Sequence, residues 1–175
     1  MELPLRPLEL ERRTPNWLVA AVSGLAAGAV LMVLDLVWSS LVAGGGPWQT
    51  SHMIAPIFMK SQAPAPPQAA YPFSLGVVWV ALAVHYALGV MFGLILVAIM
   101  TPLNLDATMT RAIMTGLAFG LALYIVNFYG MAQLFPWLVD MRSWPTVMAH
   151  LVFGMVAALL YWKLTERQRA SSVAL

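Results

Sequence analysis

The sequence predicts an all-α protein, a polytopic membrane bundle of four helices built from two hairpins. Three observations predict it. Of 175 residues, 61% are apolar and only 9% are charged, against roughly 25% charged in an average soluble domain. Mean hydropathy is +0.81. Four separate apolar runs, 17–43, 73–100, 112–135 and 144–162, each approach or exceed the ~20 residues a helix needs to cross a ~30 Å hydrocarbon core. Seven Asp/Glu and nine Lys/Arg cannot coat a folded domain of this size with water-compatible surface. The composition therefore excludes a soluble globular enzyme, a disordered chain and a nucleic-acid-binding protein. With no Cys there is no disulfide framework, thiolate metal site or catalytic thiol.

Each element has its punctuation. A tail, 1–16, ends on Pro15 and Asn16, which precede the first span. That span is much longer than the 7–15 apolar residues usual in a cleaved signal peptide, and Gly44-Gly45-Gly46-Pro47 ends it. The connection 44–72 is the only long one. Its Ala63-Pro64-Ala65-Pro66-Pro67 run must be extended. Its 51–59 stretch (SHMIAPIFM) is apolar enough to lie in the interface or dock on the bundle, the alternative being a mere spacer. Pro72 precedes the second span and Pro102 follows it, Pro136 closes the third, and Ser143 caps the fourth with Pro145 in its first turn. Residues 164–175 form a second tail, so the four-helix domain covers 17–163.

Orientation follows from the Lys/Arg bias of the short flanks. A cytoplasmic N-terminus places Arg6, Arg12, Arg13, Arg111, Lys163, Arg167 and Arg169 inside and leaves Lys60 and Arg142 outside as solvated, topological charges. Both termini are then cytoplasmic. Trp17, Trp48, Tyr71, Trp137, Trp144 and Trp162 fall near span ends, as an aromatic belt requires.

The two halves repeat each other. Ser23-Gly24-Leu25-Ala26-Ala27-Gly28 opens a stretch ending at Asp35, and Thr115-Gly116-Leu117-Ala118-Phe119-Gly120 opens one of equal length ending at Asn127. His85-x3-Gly89-x3-Gly93 in span two matches His150-x3-Gly154-x3-Ala158 in span four, and Pro47-Trp48 matches Pro136-Trp137. Two spans separate the copies, so they run in the same direction, with a pseudo-two-fold axis along the membrane normal. Gly24/Gly28, Gly89/Gly93, Gly116/Gly120 and Gly154 are small residues spaced to let helix backbones approach closely in lipid. Helical periodicity puts Asp35 on the Gly24/Gly28 stripe and Asn127 on the Gly116/Gly120 stripe, so both should point into the bundle.

At ~1.5 Å of rise per residue, Asp35 stands about 27 Å above Trp17 and Asn127 about 24 Å above Arg111. His85 and His150 each stand near 22 Å above the same boundary. Four polar side chains from four helices thus share one layer in the outer half of the membrane. An ionisable group at such depth costs ~2.5–3.5 kcal/mol, so Asp35 needs a partner, and the two imidazoles are the nearest candidates. The layer reads as a hydrogen-bond clasp fixing helix register, as a proton relay or polar substrate site, or as a metal or haem site. Bis-imidazole haem ligation by His85 and His150 is the haem version, with Gly89 and Gly154 making room for the porphyrin. His52, Met53 and Met59 are the candidates for Cu(I), although Met is more often gap-filling bulk. No phosphate loop, HExxH or Ser nucleophile elbow occurs, and no enzyme activity is expected.

The runs His85-Tyr-Ala-Leu-Gly89-Val-Met-Phe-Gly93, Thr115-Gly-Leu-Ala-Phe-Gly120 and Ala149-His150-Leu-Val-Phe-Gly154 resemble those of small bacterial four-helix inner-membrane proteins. More distantly, the fourth span is similar to that of YagU-like proteins, where a Gly-His-Leu-Val run occupies the same place. The resemblance covers the spans alone. It implies a bacterial inner-membrane location and supplies no activity. Three functions follow as expectations: a non-catalytic accessory or assembly subunit of a larger membrane complex, a small oligomeric transporter or channel using the polar layer, or an electron carrier with b-type haem. The expected partners are the lipid bilayer together with other membrane subunits or further copies of the chain.

Overall fold

The computed structural model describes residues 14–42, 46–59 and 71–173. The tail before residue 14, Lys60 and the proline run at 63–67 lie outside the described residues. The chain forms α1 (Trp17–Leu41), α2 (Gln49–Ile54), α3 (Pro56–Met59), α4 (Leu75–Met100), α5 (Met109–Ile125) and α6 (Trp144–Val173). After α5 the backbone widens into a π-helical turn, Val126–Gly130, then tightens into 3₁₀ turns, Met131–Gln133 and Pro136–Met141. Four helical segments, Trp17–Leu41, Leu75–Met100, Met109–Gln133 and Trp144–Gln168, are long and apolar enough to cross a membrane. The protein is accordingly an all-α, multi-pass integral membrane protein.

Local sequence explains the helix ends. The Asn16 side chain accepts from Val19 N at 3.1 Å, and Thr108 accepts from Arg111 N at 3.3 Å, each relieving an orphan donor of a first turn. The Thr108 cap starts α5 at Met109, three residues before the expected 112. Ser143 Oγ accepts from Thr146 N at 3.4 Å, so it caps α6 as its position predicts. At its far end α6 does not stop at Trp162. It runs on to Val173, because Glu166, Arg167 and Gln168 are good helix formers and only polarity changes there. Much of the expected tail at 164–175 is therefore helix.

On the first helix, small residues face inward and large ones outward. On α1, Ala20, Ser23, Gly24, Ala27 and Gly28 are buried, while Leu18, Val22, Leu25 and Val33 are exposed. This inverts the pattern of a soluble helix and suits a lipid surround, in which close backbone approach replaces the hydrophobic drive between helices. α1 packs along α4, α5 packs along α6, and α1 and α6 lie against each other. A Cβ on Gly24 would run into the Gly89 carbonyl, and one on Gly93 would stand 2.7 Å from both Ala20 O and Gly24 Cα. In the other pair, a Cβ on Gly116 would run into the Gly154 carbonyl, one on Gly154 into the Gly116 carbonyl, and one on Gly120 into the His150 carbonyl. The close approaches thus fall at positions that match between the halves: Gly24 with Gly89 and Gly116 with Gly154.

The packing of the two hairpins on each other is not two-fold. An axis relating them would make the α1–α6 contact equivalent to an α4–α5 contact, yet α4 and α5 touch only sparsely. The shared core lies where the hairpins meet, with Ala27, Leu96, Met100, Leu123, Phe153 and Ala157 all buried. Residues 49–59 are no mere spacer. α2 packs against α4, Met53 and Ala55 are fully buried, and Ile57 packs on the cluster of Tyr124, Phe128, Ala132 and Leu138. The segment reaches from α4 to the end of α5, filling in where those helices do not pack together.

Candidate functional site

The polar layer lies at the end of the bundle that residues 49–59 cover. On α4, His85 Nε2 stands 2.7 Å from the Gly28 carbonyl oxygen of α1. A carbonyl only accepts, so Nε2 carries the hydrogen and donates it. A Cβ on Gly28 would sit 3.7 Å from this Nε2, an ordinary van der Waals contact. On α6, His150 uses both nitrogens. Its Nδ1 donates to Thr146 O at 2.8 Å, one turn back, and its Nε2 accepts from Asn127 Nδ2 at 3.3 Å. The rings of Phe128 and Tyr124 stand edge-on to this imidazole at 5.4 and 6.0 Å.

Asp35 is half-buried, and a group outside the four spans acts on it. Its carboxyl lies near the Thr50 side chain of α2, with His85 in electrostatic reach. Depth arithmetic ranks only residues on spanning helices, so a hydroxyl delivered by a docked connection escapes it. His85 is also in electrostatic reach of His150. The bonds the imidazoles make across helices stay within a hairpin, α4 to α1 and α6 to the turn after α5, while the carboxyl lies toward the covering segment.

The π-helical turn contributes to the site. It carries Asn127 and displaces the hydrogen-bond ladder by one residue, which leaves backbone carbonyls needing new donors. Arg142 supplies one: its Nε donates to Phe128 O at 2.8 Å, and its guanidinium lies 4.1 Å from the centroid of the Tyr129 ring. The expectation of a lone, solvated Arg142 is thereby corrected. Sequence signals for this role were only the proximity of Arg142 to the third span and the Gly130 that ends the π turn.

The cofactor readings can be tested on this donor set. For haem, His150 has both nitrogens engaged and His85 has Nε2 engaged. The glycines one turn on are filled by neighbouring backbone, Gly154 by Gly116 and Gly89 by Gly24 O, which would lie 3.1 Å from an added Cβ. Those glycines make room for a helix, and the residues as arranged do not fit bis-imidazole haem. For copper, Met53 is buried at 1% exposure while Met59 is exposed at 45%. His52 Nδ1 donates to Trp48 O at 3.0 Å, and its ring lies against Tyr71 with centroids 5.1 Å apart. Among the described residues no three His, Cys, Asp or Glu side chains converge as metal ligands.

A second polar cluster, not anticipated from the sequence, ties the opposite end. The Tyr161 hydroxyl accepts from Asn16 N at 3.2 Å and lies 3.2 Å from Thr101 Oγ1, joining α1, α4 and α6. Asn16 Nδ2 also donates to Gln168 Oε1 at 3.0 Å. Asp106, in the turn between α4 and α5, is 1% exposed. Comparison with family models, with curated proteins and with solved structures found no match.

Proposed function

We propose that the chain is a non-catalytic accessory or assembly subunit of a larger membrane complex, and that its polar layer is a hydrogen-bond clasp fixing helix register within two duplicated hairpins. The observation that carries this reading is that the layer's side chains are spent on the protein itself. His85 bonds Gly28 O and His150 bonds Thr146 O and Asn127, while Thr50 and His85 lie near the Asp35 carboxyl. Groups so engaged stabilise an arrangement and leave little to bind or transform a substrate. Duplication is supported by the matched close approaches of Gly24 with Gly89 and Gly116 with Gly154. The charge bias of the flanks supports cytoplasmic termini, and the resemblance of the spans supports the bacterial inner membrane.

The test is purification from native membranes, with native mass spectrometry and a visible spectrum on the same sample. Stoichiometric partner subunits and a spectrum without a Soret band are expected. A chain recovered alone or only with copies of itself would overturn the reading.

A second reading, a small oligomeric transporter or channel, is favoured by one observation. Asp35, an ionisable group inside an apolar span, lies in electrostatic reach of His85 and near Thr50 of the segment that covers the layer. A pH-dependent flux in proteoliposomes, abolished by Asp35→Asn and His85→Ala with folding intact, would establish this reading in place of the first.

A further inference from the structure

We propose that the two hairpins divide their roles, with the first as the proton-binding half: His85 takes up a proton at Nδ1, while His150 stays a neutral imidazole. The proposal rests on the hydrogen bonds that make the layer a clasp, and concerns what that clasp leaves free. It holds with or without partner subunits.

Hydrogen-bond polarity separates the two rings. His85 spends Nε2 on the Gly28 carbonyl, 2.7 Å away. A carbonyl only accepts, so that nitrogen keeps its hydrogen in either charge state, and Nδ1 of the neutral ring carries a lone pair. Among the described residues Nδ1 makes no hydrogen bond. His85 is half-buried, and its Nδ1 is not one of the enclosed polar atoms without a partner, as Ser23 Oγ is. The lone pair therefore lies on accessible surface. A proton arriving there from water forms an N–H bond, and no bond within the layer breaks.

His150 has both nitrogens occupied. Its Nδ1 donates to Thr146 O at 2.8 Å, and its Nε2 lone pair accepts from Asn127 Nδ2 at 3.3 Å. Charging this ring places a hydrogen where an amide hydrogen already points, so the Asn127 bond is lost or the amide must turn over. The sequence carries the same division. The position that holds Asn127 in the second hairpin holds Asp35 in the first. One is an amide that donates to a neutral ring, the other a carboxyl that can balance a charged one. The titratable groups facing His85 from other helices are Asp35 on α1 and His150 on α6, both in electrostatic reach. On α4 itself the Tyr86 ring stands 5.7 Å away. Two imidazolium rings in reach of each other repel. The layer thus has room for one such charge, and the hydrogen bonds give it to His85.

Nitrogen-15 spectra of the histidine-labelled full chain in bilayers, recorded from about pH 8.5 to about pH 4.5, span the range in which histidine titrates. His85 and His150 are told apart through their preceding residues, Val84 and Ala149. Opposite tautomers at the alkaline end report the clasp by itself. On acidification the bare-nitrogen resonance of His85 should disappear as a second N–H resonance replaces it, while that of His150 is retained in full. Asn127→Asp places the first hairpin's residue in the second, and there His150 should charge as well. The proposal is overturned if His85 keeps its bare nitrogen throughout, or if both rings of the native chain charge together. It is also overturned if His150 stays neutral in Asn127→Asp with the His85 resonances unmoved. With opposite tautomers kept at the alkaline end, each of these results defeats the division of roles and leaves the clasp standing.

Discussion

Replacing Gly93 by alanine adds one methyl to α4 where α1 leaves no room for it. The new Cβ would stand 2.7 Å from Ala20 O and Gly24 Cα and 3.0 Å from Gly24 N. All three are backbone atoms, so no side chain can rotate aside, and the helices must part by roughly 0.7 Å to reach ordinary contact. A gap of that size forfeits a quarter to a half of each affected contact. On the order of 40 atom pairs at ~0.1–0.2 kcal/mol each then lose about 2 kcal/mol, within the usual ~1–3 kcal/mol cost of overpacking. Gly76 lies on the same helix with nothing within 4 Å of an added Cβ. Alanine there should be neutral or stabilise by up to ~1 kcal/mol through helix propensity. Gly28 is the discriminating case. Small-residue spacing alone makes it equivalent to Gly24, but its nearest neighbours would stand at 3.7 Å, so Gly28→Ala should change stability by less than ~0.5 kcal/mol. Reversible unfolding in mixed micelles with rising dodecyl sulfate, followed by tryptophan fluorescence, ranks the three variants. Equal stability of Gly93→Ala and Gly76→Ala, or Gly28→Ala falling as far as Gly93→Ala, would refute the packing argument.

The same unfolding assay checks two further expectations. Arg142→Met leaves Phe128 O without its donor and should cost about 1–3 kcal/mol, whereas an Asp140→Asn control at an exposed neighbouring position should cost little. Asn127→Leu and His150→Leu should be coupled in a double-mutant cycle by about 0.6 kcal/mol and at most ~1.7, the range for hydrogen bonds between membrane helices. Additive effects would mean that the amide and the imidazole do not act on each other. At the other end, Tyr161→Phe should destabilise by about 1–3 kcal/mol by orphaning the Asn16 amide and removing the Thr101 contact, read as a lower midpoint in the same titration.

The spans were legible because lipid imposes a length and a polarity that composition cannot disguise. Trp17, Met100 and Trp144 end or begin helices where the apolar runs said they would. The glycine contacts were legible for a related reason: in lipid, small residues at four-residue spacing have few other uses. The change of helix type within the third span was not. Hydropathy continues smoothly to Phe135, and no proline or paired glycine marks Ile125, so the passage into a π turn left no compositional trace. The site was half legible. His150 and Asn127 meet as their matched depths suggest, but Asp35 has Thr50 near it, on a connection to which helical arithmetic does not apply. Nor does a repeat in sequence fix how its copies pack. The hairpins share their internal contacts, yet between them α1 lies along α6 while α4 and α5 touch only sparsely, with residues 49–59 filling in beside them.

The central claim, that the layer's imidazoles are spent on bonds within the bundle, can be tested on the two rings themselves. Nitrogen-15 solid-state spectra of the histidine-labelled protein in bilayers, assigned with His85→Leu and His150→Leu, distinguish the tautomers. The structure predicts opposite forms: the hydrogen on Nε2 in His85, facing Gly28 O, and on Nδ1 in His150, facing Thr146 O. Two rings in the same tautomer, or resonances shifted by coordination to a metal, would contradict it.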